Sequence, residues 1–157
     1  MKIAILFTGK TKPAYIDQGL QDYVRRLLHY SQLQIIEIQD QKKTKGIPQQ
    51  TIMEQEGDKI LRNIRPEDYV VLLDERGKQL SSKELAGWIE EKALHSQKRI
   101  VFVTGGAFGF GKKVYDRANM LLSVSKMTFS HQVIRLFFME QLYRAFTILR
   151  GEPYLNG

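Results

Sequence analysis

A polar loop, SVSKMTFSHQ, runs from Ser123 to Gln132 and concentrates side chains that can form hydrogen bonds. Serine, lysine, threonine, histidine and glutamine alternate there with one methionine and one phenylalanine. The preceding residues, ANMLL, favour a short strand, and the following VIRLFFMEQLYRAFTIL favours an apolar helix. Polar groups held between two rigid elements can orient a bound ligand, so this loop is the first candidate binding segment.

A glycine-rich stretch, GGAFGFGKK, follows the apolar run RIVFVT and precedes a short helical pattern. Gly106 to Lys112 spells G-x-x-x-x-G-K, but position 113 is lysine where a P-loop needs serine or threonine for magnesium. The dinucleotide fingerprint fails too, because Val114 stands where its third glycine belongs. Three interpretations stay open: a flexible turn, a phosphate site, or a close backbone approach to a flat ligand at Gly105 and Gly106.

A third segment, LLDERGK, crowds Asp74, Glu75 and Arg76 into what reads as the turn after a strand. In open α/β sheets, ligands bind beyond the carboxyl ends of the strands. We therefore expect this turn, the glycine-rich stretch and the polar loop to converge on one pocket.

Strand and helix patterns alternate along the chain, and the strand patterns are continuously apolar. The predicted strands are Lys2–Phe7, Leu33–Ile38, Tyr69–Asp74, Arg99–Gly106 and Leu121–Ser125. The predicted helices begin near Pro13, Gln49, Ser81, Lys112 and His131, and Ser81 with Glu84 forms a capping-box signature. This alternation predicts an α/β fold whose parallel-type sheet is flanked by helices on both faces.

The composition suits one domain spanning residues 1–157. The chain has no cysteine, which excludes disulfides and thiolate zinc sites, and we expect no metal site. No apolar run has the length of a membrane span, so we expect a cytoplasmic protein without a membrane partner. The formal net charge of +7 favours a polyanionic partner such as nucleic acid, although solubility alone also accounts for it.

The chain resembles the RlmH family along nearly its whole length. These are the 23S ribosomal RNA pseudouridine N3-methyltransferases of the SPOUT superfamily. The resemblance rests on LSVSKMTFSHQVIRLFFMEQLYRAFTILRGEPY, on VVLLDERGK, on FVTGGAFGF and on the opening KIAILFTGKTKPAYIDQGLQDYVRRL, in family order and spacing.

The resemblance implies a deep trefoil knot in about residues 100–157, a homodimer, and S-adenosyl-L-methionine held in the knot. It implies methyl transfer to N3 of a pseudouridine in ribosomal RNA or the ribosome, with no DNA partner. The cofactor contacts that it implies are Leu73, Gly105, Val124, Ser125, Lys126, Met127, Thr128 and Phe129. In this interpretation, Leu73, Val124 and Met127 form apolar walls for the adenine.

Groups that could face the RNA are chosen by their type and position in the chain. Candidates for contacting the substrate are Arg135, His131 and Tyr154, with Arg135 stabilising the deprotonated base or holding a phosphate. Candidate phosphate contacts are Lys42, Lys43, Lys45, Lys112 and Lys113.

The C-terminal residues depart from the family pattern. The family usually has histidine directly after the EPY motif, and this chain has Leu155 there. That departure keeps a second hypothesis open, a knotted RNA-binding protein without catalysis. A third, weaker hypothesis is a nucleotide-binding protein that uses the glycine-rich turn.

Overall fold

The computed structural model describes residues 1–39 and 45–156, apart from the side chains at 155 and 156, so Lys42 and Lys43 lie outside the described residues. The strands are β1 (Lys2–Thr8), β2 (Gln32–Ile38), β3 (Tyr69–Gln79), β4 (Arg99–Thr104) and β5 (Met120–Ser123). The helices are α1 (Ala14–Leu27), α2 (Gln49–Arg62), α3 (Ser82–Leu94), α4 (Lys112–Arg117) and α5 (Val133–Leu149), followed by a 3-10 turn at Pro153–Asn156.

The five strands form one sheet in the order β2-β1-β4-β3-β5, and every neighbouring pair is parallel. The central strand β4 is buried along its whole length, as the continuous apolar run predicts. The predicted parallel sheet is therefore confirmed. Because all strands run the same way, their carboxyl ends lie at one edge.

Helices cover both faces of this sheet. On one face, α1, α3 and α5 pack through Leu20, Leu85 and Phe138, and the Phe138 ring lies 4.8 Å from that of Phe102 on β4. On the other face, α2 and α4 contribute residues such as Ile60 and Val114 to a second apolar cluster. The predicted flanking by helices on both faces is confirmed. Among the described residues, no helix combines the length and apolar character that a membrane crossing needs.

The start of α3 follows its sequence signature. The Ser81 hydroxyl accepts a hydrogen bond from the Glu84 amide at 3.1 Å, and the Glu84 carboxylate accepts one from the Ser81 amide at 2.6 Å. This reciprocal pair satisfies two amides that a helix start otherwise leaves unbonded, so the predicted capping box is confirmed.

Strand β3 is longer than its apolar run predicts. It continues through Asp74, Glu75 and Arg76 to Gln79, with a register shift against β5 between Leu73 and Lys78. A Cβ atom on Gly77 would lie 2.5 Å from the carbonyl carbon of Leu121, so only glycine permits this close approach. The prediction that the strand ends at Asp74 is therefore wrong, because the polar segment is an irregular continuation that borders β5.

The polar loop lies where it was predicted, between the end of β5 at Ser123 and the start of α5 at Val133. The strand ends two residues before the predicted Ser125, and the helix begins two residues after the predicted His131. The Ser123 hydroxyl donates to the Ser125 carbonyl at 2.7 Å, which holds the chain in a bend rather than an extended strand. At the other end, the Ser130 hydroxyl accepts from the Val133 amide at 3.1 Å and satisfies an amide at the helix start.

Candidate active site

A cavity of about 720 Å³ lies at the carboxyl ends of β4 and β5 and beside the middle of β3. Its walls come from the polar part of β3, the glycine-rich turn after β4 and the loop between β5 and α5. The predicted convergence of these three segments is confirmed. The volume falls within the range of about 300–1,000 Å³ that is usual for small-molecule sites.

Most of the residues that the family resemblance assigned to the cofactor line this cavity. They are Leu73, Gly105, Val124, Ser125, Met127, Thr128 and Phe129. Lys126 is exposed and does not belong to the lining. The cavity therefore collects apolar side chains from β3 and the loop together with the backbone of the glycine-rich turn.

Internal hydrogen bonds shape the polar loop. The Met127 amide donates to the Ser125 hydroxyl at 3.0 Å, while the Gln132 side chain bridges the Lys12 amide and the Lys10 carbonyl, each at 3.1 Å. The rings of Phe129 and Phe137 lie 4.8 Å apart. Part of the loop's polarity thus fixes its own conformation and joins it to the segment after β1, which keeps the cavity wall in place.

Asp74, Arg76 and Tyr115 form a hydrogen-bonded cluster on the cavity wall. The Tyr115 hydroxyl donates to the Asp74 carboxylate and accepts from the Arg76 guanidinium, which also lies 5.0 Å from the centre of the Tyr115 ring. The Arg76 side chain is 67% exposed, so a positive charge is held at the rim.

The environment of this cluster shifts two pKa values. Burial alone would raise the pKa of Asp74, but hydrogen bonds from Tyr115 and from the amide and guanidinium of Arg76 lower it. Burial and the bond to Asp74 raise the pKa of Tyr115. At neutral pH the carboxylate is therefore ionised and the phenol protonated. The lowered pKa makes Asp74 a weak base, and the protonated phenol has no basic oxygen to offer.

Arg135 does not reach the cavity. Its side chain is fully buried, and its guanidinium donates to the carbonyls of Thr8 and Gly9, each at 2.8 Å, and to the Thr11 hydroxyl at 2.9 Å. It also lies 4.9 Å from the centre of the Phe7 ring. That Arg135 contacts the substrate stays a prediction, and this conformation gives it no support, because the donors of Arg135 join α5 to the end of β1.

The other two substrate candidates lie in different places. His131 lines the cavity, just before α5. Tyr154 does not, because its hydroxyl lies 3.2 Å from that of Tyr23 on α1 and 3.3 Å from a Glu140 oxygen on α5. Burial and the contact with Tyr23 raise the pKa of Tyr154. One chain therefore does not bring the three candidates together.

The predicted phosphate contacts that the structure describes are exposed. Lys112 pairs with Asp116 at 2.6 Å, Lys113 lies 3.7 Å from Asp58, and Lys45 lies just before α2. Surface pairs of this kind are weak, so these lysines can still exchange their partners for phosphate.

The glycine-rich turn does not have P-loop character. It closes on itself through a bond of 3.1 Å from the Gly109 amide to the Gly106 carbonyl, while Lys112 bonds along its own helix. This geometry gives no support to the nucleotide-binding hypothesis. Within residues 1–39 and 45–156, no group of three or more histidine, aspartate or glutamate side chains is placed to hold a metal.

Sequence reasoning missed several residues of the cavity. Tyr115, Thr104 and Ile134 line it without having been assigned. The crowding of charges in LLDERGK pointed to Asp74 and Arg76, but no local pattern could pair them with Tyr115, about 40 positions later.

The comparison with known proteins covers nearly the whole chain. The family model described as "Predicted SPOUT methyltransferase" matches residues 1–154. Proteins named "Ribosomal RNA large subunit methyltransferase H" are similar to this chain. That of Phocaeicola vulgatus is 47% identical over 154 residues, that of Bacteroides fragilis 45% over 154, and that of Carboxydothermus hydrogenoformans 41% over 157. Each alignment covers 98% of this chain and at least 98% of the relative. The cavity lies where the family motifs meet, and with a match of this extent the chain belongs to the SPOUT methyltransferase family, within its RlmH branch.

Proposed function

We propose that the protein transfers a methyl group from S-adenosyl-L-methionine to N3 of a pseudouridine in large-subunit ribosomal RNA. The relatives' name supplies the class of reaction and the RNA. The observation that carries the proposal is the cavity, which gathers seven of the eight predicted cofactor contacts at the strand ends. Only Lys126 lies outside its lining.

The residues present fit this cofactor. Leu73, Leu122 and Val124 offer apolar surface for a flat base, and the backbone at Gly105 can approach it closely. When bound, the cofactor supplies a methyl group already activated by a sulfonium. The protein's part is to hold the two reactants in line, which can contribute roughly 7–11 kcal/mol towards lowering the barrier.

The acceptor nitrogen must lose its proton, and negative charge then develops on the base. Among the residues that line the cavity, His131 has the side chain most suited to accept that proton. Arg76 takes the role first given to Arg135, because it is a cation fixed at the rim by Asp74 and Tyr115. Tyr154 contacts the substrate only if another chain brings it there.

The proposal includes a homodimer in which the partner completes each site. Two features support it: Phe137 is 48% exposed on α5, and Tyr154 lies away from its own cavity. Sedimentation velocity should find a dimer at micromolar concentration, and a monomer alone would contradict this part of the proposal.

The proposal also includes the trefoil knot of about residues 100–157. The placement of β5 beside β3, with α5 returning to pack on α1 and α3, supports it. The cofactor would then be held by chain segments that cannot separate without untying, which suits a rigid site.

The first test is a calorimetric titration with S-adenosylmethionine, S-adenosylhomocysteine and ATP. We expect binding of the first two, and Gly105→Val should weaken it at least about tenfold. A Cβ atom at Gly105 would already touch the backbone of Gly109 at 3.4 Å, so the branches of valine must enter the cavity or displace the turn. Gly87→Val is the matched control, since a Cβ atom there meets nothing within 4 Å.

Normal binding by a folded Gly105→Val variant would show that the assigned pocket is wrong. Binding of ATP alone would favour the nucleotide hypothesis. A methylation assay on ribosomes or ribosomal RNA then distinguishes an active enzyme from a protein that only binds RNA. The second hypothesis stays open because Leu155 replaces the usual histidine.

A further inference from the structure

Thr104, the last residue of β4, carries a buried hydroxyl without a hydrogen-bond partner. The residue is 1% exposed, and its Oγ1 is one of two buried side-chain oxygens in this state among the residues that the structure describes. Buried hydroxyls are nearly always hydrogen-bonded, because leaving one unpaired costs free energy. An unpaired buried hydroxyl beside a candidate site indicates that a bound ligand supplies its hydrogen-bond partner.

The sheet register shows where this side chain points. Residues paired in register share a face of the sheet, and Thr104 pairs with Leu73 while Leu73 pairs with Leu122. All three belong to the cavity lining. Thr104 is therefore the polar member of a row whose other two members are apolar walls of the cavity.

The neighbouring Thr8 shows the contrasting case. Its hydroxyl donates to the Thr104 carbonyl at 2.8 Å, so its hydrogen bond is made within the protein. It follows Phe7, the register partner of Thr104, and therefore points to the opposite face. Only one of these two buried threonines faces the cavity with an unpaired hydroxyl.

We propose that the Thr104 hydroxyl is a specificity contact for the adenosine part of the cofactor, where it bonds a polar atom at the edge of the base. This inference rests on the proposed function, because it places adenosine against Leu73 and Leu122. Thr104 is not among the eight cofactor contacts that the resemblance implies, and it lies at one end of the row, next to Leu73. The ligand supplies the hydrogen bond that the folded protein leaves unmade.

The substitution Thr104→Val tests this, because it keeps the shape and removes the hydroxyl. Two effects of opposite sign are expected. Without ligand, the melting temperature should rise by about 2–6 °C, since an unpaired buried hydroxyl has been removed. The affinities for S-adenosylhomocysteine and for 5′-methylthioadenosine, which lacks the amino-acid part, should both fall by about 3- to 10-fold.

Two further variants serve as controls. Thr104→Ser retains the hydroxyl and should bind both ligands within about twofold of wild type. Thr8→Val removes a satisfied hydrogen bond, so it should lower the melting temperature and leave both affinities nearly unchanged.

Each outcome decides the matter. Unchanged affinity of Thr104→Val for ligands that wild type binds would overturn this inference alone. A loss limited to S-adenosylhomocysteine would overturn the assignment to adenosine. If wild type binds neither ligand, the proposed function fails, and the inference fails with it.

Discussion

Arg135 has two possible roles that one substitution can distinguish, a contact with the substrate and a structural link within the protein. As a substrate contact it would matter for methylation and little for stability, whereas its observed position makes it a structural link. The informative change is Arg135→Met, which keeps much of the volume and removes every donor. We expect a folded but markedly less stable protein.

The magnitude follows from the bonds that are lost. The guanidinium donates to Thr8, Gly9 and Thr11, and its Nε reaches the His131 carbonyl at 3.2 Å. Bonds to a charged donor contribute about 1.5–3 kcal/mol each, but losses within one cluster do not add. Removing one member of a buried charged network typically costs about 3–5 kcal/mol, so we expect about 4 kcal/mol.

The assay is urea unfolding followed by circular dichroism, with thermal melting as a second measure. For a chain of this size, a loss of about 4 kcal/mol lowers the melting temperature by roughly 8–16 °C. The matched control is Arg25→Met, whose side chain is 73% exposed and pairs with Asp22 at 3.4 Å, so its melting temperature should change by less than about 2 °C.

The result that would refute this reasoning is specific. If Arg135→Met keeps the stability and cofactor affinity of wild type and loses only RNA methylation, then Arg135 contacts the substrate in a conformation different from the one described. Loss of stability with methylation retained at low temperature would support the structural role.

Two further predictions concern charge. Replacing both Lys112 and Lys113 by glutamine should leave cofactor affinity unchanged and reduce the salt dependence of RNA binding by up to about two phosphate-equivalents; parallel salt curves with equal activity would remove them from the RNA site. The second concerns Asp68, which is fully buried against Arg99 with a contact of 2.6 Å; burial alone would raise its pKa, but the bonds from Arg99 and the Arg65 amide lower it. Its stabilising contribution is therefore complete above the ordinary aspartate pKa and is lost as pH falls through the lowered pKa. The free energies of unfolding of wild type and Asp68→Asn, measured with urea, should differ by about 3 kcal/mol at pH 7 and converge in strong acid, and a difference that persists there would contradict this.

Local sequence determined the order and type of the elements. The continuous apolar runs that became β1, β3 and β4 could only be buried between two layers, so a parallel sheet with helices on both faces followed. The capping box at Ser81 was set by four consecutive residues. The meeting of three polar segments followed from the same rule, because parallel strands end at one edge.

Tertiary structure alone decided what each polar residue does. Arg135 lies four positions after His131, yet its donors reach Thr8 and Gly9, more than 120 positions earlier, and no local periodicity encodes that contact. The extension of β3 depended on the space that Gly77 leaves for β5.

Tertiary structure also decided which polar groups face the cavity. Thr104 faces the cavity because β4 lies beside β3 in one particular register, and a shift by one residue would turn its hydroxyl to the other face. Sequence periodicity specifies which residues are buried. Only the packing of distant elements specifies which buried polar groups find a partner in the protein and which are left for a ligand.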